Sequence, residues 1–62
     1  MMNVLTIPAK EVRAGDQIKT DDGFIAVGGV QPLSGKRVGL FTRQGMVGVD
    51  AEAMVTVRRE VD

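Results

Sequence analysis

TDDGFIAV, Thr20–Val27, and TRQGMVGV, Thr42–Val49, spell one pattern twice in a chain of 62 residues, the second copy 22 positions after the first. Each reads Thr, two polar residues, Gly, a large apolar residue, a β-branched residue, a small residue and Val. Two polar residues followed by Gly fit a hairpin loop with Gly in the left-handed position. Glycine reaches that conformation freely because no Cβ opposes it. With QIKT before the first copy and KRVGLFT before the second, the repeat predicts two hairpins of like design, cornered at Gly23 and Gly45. Solenoids generally need about three or more units, so two hairpins are expected to curl together instead.

Working outward, Asn3–Ile7 (NVLTI) is a β-branched run that halts at Pro8, which has no amide hydrogen for a sheet ladder. PAKEVRAGD reads as a loop that tucks Val12 inward and turns at Gly15 and Asp16. QPLSGK, with Pro32, Ser34 and Gly35, reads as the connection between the hairpins, and Gly28–Gly29 as a bulge or sharp bend. Asp50–Ala53 (DAEA) suits a single helical turn capped by Asp50, before a last strand MVTVRR. Alternation places Ile25, Val27, Val47 and Val49 opposite Phe24, Ala26, Met46 and Gly48. Leu5, Ile7, Ile18, Val30, Val38, Leu40, Val55 and Val57 extend an aliphatic core. The expectation is a single all-β domain over residues 1–62: a small barrel of five or six short antiparallel strands, with one helical turn before the last. A two-sheet sandwich completed by dimerisation is the competing architecture.

This order of strand, loop with a buried Val, two hairpins, helical turn and closing strand resembles an SH3-like barrel. The stretch EVRAGDQIKTDDGFIAVGGV, carried by Gly15, Asp16 and Gly23, also resembles the opening of barrels of the elongation factor P type and of splicing-type Hint domains. The likeness implies a barrel fold. Hint chemistry requires an initial nucleophile and a later His, neither of which this chain has. The elongation factor P type carries a functional lysine on a loop tip, where this chain has Asp21, Asp22 and Gly23. In style, the short Val- and Gly-rich chain is similar to small accessory proteins of actinobacterial phages.

Composition narrows the function. Eight basic and eight acidic residues cancel, and the sequence pI of about 6.1 argues against broad attraction to nucleic acid or anionic lipid. No apolar run approaches the roughly 20 residues that cross a bilayer. The start, MMNVLTIPAKE, does not read as a secretion signal, so the expected compartment is the cytoplasm of a bacterium or of a phage-infected host. The chain has no Cys and no His, so neither disulfides nor the usual zinc frameworks are open to it, and no metal or other cofactor is expected. Proton transfer would fall to eight carboxylates and three lysines. Asp21 and Asp22 read as exposed turn residues, and Ser34 has no partner base. The expected class is therefore not an enzyme.

Two phenylalanines without Tyr or Trp leave little aromatic surface for proline-rich helices, methylated lysines or bases. Phe41 reads as core or edge packing. Phe24, directly after a turn, is the better exposed anchor. Phe24 and Ile25, then Met46 and Val47, provide apolar side chains on both faces of their strands, more than one thin core can bury. The surplus points to a protein partner or a second copy, most simply a dimer, engaged through Phe24, Met46 and Met54. The rival reading is a nucleic-acid-binding barrel with a basic patch from Lys36, Arg37, Arg43, Arg58 and Arg59.

Overall fold

The computed structural model describes residues 1–60. Seven strands are present in place of five or six: β1 (Met2–Pro8), β2 (Gln17–Thr20), β3 (Gly23–Ala26), β4 (Gly29–Leu33), β5 (Arg37–Thr42), β6 (Gly45–Asp50) and β7 (Met54–Glu60). They form two antiparallel sheets. One has the order β1-β7-β2-β3 and the other β4-β5-β6, with no ladder closing them into one barrel among the described residues. The all-β expectation holds. No helix among the described residues is long and apolar enough to cross a membrane.

The twin sequences build twin corners. Thr20 pairs with Gly23 and Thr42 with Gly45, each across two polar residues. Gly23 sits at φ 106° and Gly45 at φ 109°. The Thr20 hydroxyl accepts from the Asp22 amide at 3.2 Å and donates to the Gly23 carbonyl at 2.7 Å. Thr42 does the same with Gln44, at 3.1 Å, and Gly45, at 2.9 Å. The Thr at the head of each repeat thus ties the turn that its Gly makes possible. A Cβ at either glycine would meet nothing within 4 Å, so only backbone strain opposes substitution. Gly23→Ala and Gly45→Ala are therefore expected to cost about 1–2 kcal/mol each, and similar amounts, by chemical denaturation. A loss at one corner and none at the other would mean the corners are not equivalent.

The two sheets are one continuous run of chain. After β3, Val27 and Gly28 carry it from the first sheet to the second. Val27 is buried and exchanges bonds with the Gly15–Asp16 turn, and the Gly28 amide donates to the Phe41 carbonyl at 2.7 Å. The expected bend at Gly28–Gly29 is this crossing between sheets. QPLSGK is not all loop. Gln31, Pro32 and Leu33 belong to β4, and only Ser34–Lys36 connect it to β5. Pro32 is tolerated because β4 is an edge strand, where a missing donor costs no central ladder bond.

The helical turn is also displaced. It is a 3-10 turn at Ala9–Glu11, directly after β1, rather than at Asp50–Ala53. Asp50–Ala53 forms a tight turn in which the Ala53 amide reaches the Asp50 carbonyl at 3.0 Å. Asp50 still caps it, its Oδ1 accepting from the Glu52 amide at 2.9 Å. The two turns are stitched together, since the Ala9 and Lys10 amides donate to the Ala53 and Ala51 carbonyls. Those bonds hold the 3-10 turn against the start of β7 and drop Ala9 and Val12 into the core. The core lies between the inner faces of the sheets: Ile18, Ile25 and Val57 on one side, Val38 and Leu40 on the other, with Val27 at the crossing.

Candidate interaction surface

Pairing decides which side chains face out. In β5 and β6, Leu40 stands opposite Val47 and Val38 opposite Val49, and Leu40 and Val38 are buried. Alternation then sends Arg37, Gly39 and Phe41 of β5, and Met46, Gly48 and Asp50 of β6, to the outer face. Gly29 and Leu33 of β4 join them through their pairs with Phe41 and Arg37. The resulting face is aliphatic and aromatic over a floor of glycine. A Cβ on Gly39 would lie 2.6 Å from Met46 Sδ and 3.6 Å from Leu33 Cδ1, and one on Gly48 would lie 3.1 Å from Arg37 Nη2 and 3.6 Å from Leu33 Cδ1. Met46 and Leu33 recline over backbone that has no side chains to lift them. Phe41 remains 40% exposed and Met46 50%. Asp50, paired with Arg37 across β5 and β6, edges the patch with charge, and the Arg37 guanidinium reaches over Gly48.

Phe41, read from sequence as core or edge packing, is thus an exposed residue of this face. The reason is parity: in VGLF, Leu40 and Val38 take the inner side together, and the neighbour of Leu40 must face out. Phe24 is half-buried on the outer face of the first sheet, with the Arg58 guanidinium 4.6 Å above its ring centroid. Arg58 is itself held there, its Nε donating to Gln17 Oε1 at 3.0 Å. The chain covers its own anchor. Met54 is exposed on that same sheet, beside a depression of about 330 Å³ bordered by Lys19, Thr20, Asp21, Val55 and Thr56. Of the three expected contact residues, Met46 lies on one sheet and Phe24 and Met54 on the other, with β2 between the strands of the latter two.

No protein-family model, curated protein or solved structure matches this chain. Its surface chemistry is therefore the guide to function.

The five basic candidates do not converge. Lys36 immediately precedes β5 and Arg37 begins it, whereas Arg43 follows its end, about 20 Å from Arg37 at the rise of an extended strand. Arg58 is engaged by Gln17 and Phe24. Arg59 is clamped by Asp16: its Nε donates to Oδ1 at 2.8 Å and its Nη2 to Oδ2 at 2.7 Å, while the Arg13 amide donates to Oδ2 at 3.0 Å. Asp16 is buried, and Arg59 also reaches the Glu11 carbonyl at 3.3 Å. The Arg59 guanidinium beside Asp16 holds its carboxyl below the usual carboxylate range, against the opposing effect of burial. This clamp, which fastens the Glu11–Asp16 loop to the end of β7, was not visible in the sequence. Gly15–Asp16 reads there only as a turn, and nothing marks its partner 43 residues away.

Proposed function

We propose that the protein is a non-enzymatic interaction module, an opened relative of the SH3-like small barrels, that binds protein partners including its own copy. The observation that supports this most is the glycine-floored outer face of the β4-β5-β6 sheet. Phe41 and Met46 stand half-exposed there beside Leu33, with charge at the border. Half-exposed Met and Phe over a flat floor make an adaptable contact surface, and a polar border is the usual frame of an apolar contact. Such a role, as an accessory protein in a bacterium or a phage-infected cell, asks only for a folded surface. The chemistry of Asp16 runs in the same direction. Its ionised form is stabilised by Arg59, so its pKa moves away from the neutral range in which a general acid or base works.

Sedimentation velocity across a concentration series tests the reading. The wild-type sedimentation coefficient is expected to rise with concentration and to keep doing so in about 0.5 M salt, because apolar contact is not screened. Met46→Asp with Phe41→Ser should weaken association at least tenfold while leaving the circular dichroism spectrum unchanged. A concentration-independent monomer in the wild type would end the self-association reading. Association lost in salt but indifferent to the double variant would move it to the basic residues.

A further inference from the structure

We infer that the second copy docks edge to edge, its β6 pairing antiparallel with β6 of the first across a two-fold axis, so that two three-stranded sheets become one of six strands. The inference rests on the self-association proposed above and gives it a place and a geometry.

The sheets present four edges: β1, β3, β4 and β6. A free edge offers unpaired amides and carbonyls to any other strand, and proteins usually blunt it with proline, charge or brevity. β4 has Pro32 at its middle, and β3 is four residues long and leads straight into the crossing at Val27 and Gly28. β6 has none of these devices. Its sequence is GMVGVD, with no proline and no charge before Asp50, and Met46 and Val47 are 50% and 43% exposed. Val47 belongs by register to the core side, opposite buried Leu40, yet remains open at this margin.

β1 is the other long edge, and charge distinguishes the two. β1 carries no ionisable side chain, so nothing in it favours one arrangement of copies. β6 is preceded by Arg43 in its leading turn and ends on Asp50, a cation at one end and a carboxylate at the other, while Glu52 beyond it is held by Lys10 at 2.6 Å. Such a strand is complementary to itself only when antiparallel. A two-fold axis perpendicular to the sheet also returns the outer face to the outer side, which restricts the register to outer residues opposite outer residues. Setting Val47 against its own symmetry mate satisfies this. Met46 then faces Gly48 of the other copy, beside the Arg37 guanidinium that lies over that glycine, and Arg43, in the turn before β6, comes near Asp50 at the end of the other copy's strand. The outer faces with Phe41 and Met46 become continuous across the join. Five paired residues per strand, Gly45–Val49, bury less than the roughly 1,200–2,000 Å² of a standard stable interface, so the association is expected to be weak, with half-saturation at micromolar concentration or above.

The chain has no cysteine, so single cysteines report position without background. Val47→Cys is expected to form a covalent dimer under oxidised glutathione in most of the protein. Opposite residues of an antiparallel pair place their Cα atoms at about 4.5–5.5 Å, within disulfide reach. Val4→Cys, on the β1 edge, should stay monomeric under the same conditions. Circular dichroism of each reduced variant checks folding. Independently, Arg43→Glu, on an exposed turn, should weaken wild-type association about tenfold at low salt through two symmetry-related repulsions. If the wild type associates but Val47→Cys cross-links no better than Val4→Cys, or Arg43→Glu changes nothing, the β6 pairing is overturned and self-association stands. If the wild type remains a monomer throughout, self-association itself fails, and the pairing with it.

Discussion

Leu40→Ala is expected to cost about 3 kcal/mol, roughly a third or more of the folding free energy of so short a domain. Leu40 is 1% exposed and is the largest of the fully buried side chains. It sits on β5, the central strand of its sheet, between Val30 of β4 and Val47 of β6. Truncating a buried leucine removes its transfer free energy and leaves a cavity that relaxes only in part, typically a loss of about 2–5 kcal/mol. A domain of this length has only about 3–9 kcal/mol to lose, at roughly 0.05–0.15 kcal/mol per residue. The midpoint of thermal unfolding should fall by about 20 °C. Met46→Ala, on the opposite face of the same sheet, should change stability by no more than about 1 kcal/mol. Equal losses at the two positions would show that the inner and outer faces have been assigned wrongly.

Asp16→Ala is expected to cost on the order of 2 kcal/mol, since Asp16 is the buried charged residue among the described residues. Its carboxylate is buried and accepts from the Arg13 amide and twice from Arg59, so truncation abandons three donors at once. The same geometry makes stability depend on acid. Asp16 has a lower pKa folded than unfolded, where a free aspartate titrates near about 3.9. Its contribution is therefore whole above that value and drains away as pH falls through the lower folded value, because the unfolded chain takes up the proton first. Urea midpoints measured from pH 6 down to pH 2 should fall more steeply for the wild type than for Asp16→Asn, whose side chain has no proton to gain. Parallel slopes would mean that the Asp16–Arg59 pair contributes little to acid sensitivity. In either variant the Glu11–Asp16 loop, released from β7, should exchange its amide hydrogens sooner than the sheets.

Much of the fold is legible in the residues. The repeated Thr-x-x-Gly names both corners, because everything it needs lies within four residues: a hydroxyl that bonds forward, and a glycine at positive φ. Val12 is recognisable as a buried anchor since it is the one large apolar residue of its loop. The departures share a cause. Pro32 reads as a breaker until β4 is known to be an edge, and DAEA reads as a helical turn until its carbonyls are seen to be taken by the amides of Ala9 and Lys10. Gly28–Gly29 reads only as a bulge or sharp bend, and becomes a crossing between two sheets once Val27 and Gly28 are drawn to the Asp16 turn and to Phe41.

The candidate surface divides along the same line. That the chain carries more apolar side chains than one core can hold follows from alternation alone, and so does the prominence of Met46. Which phenylalanine is shown to solvent does not. Phe24 is covered because Arg58, 34 positions later, is aligned over its ring by Gln17, and Phe41 is open because Leu40 turns inward beside it. Arg59 looks like a free surface charge until Asp16 is found beneath it. Turns and strand alternation are governed by interactions between near neighbours, whose partners are already adjacent in the chain. Exposure and charge pairing are governed by contacts between residues tens of positions apart, and those partners exist for one another only after the sheets have assembled.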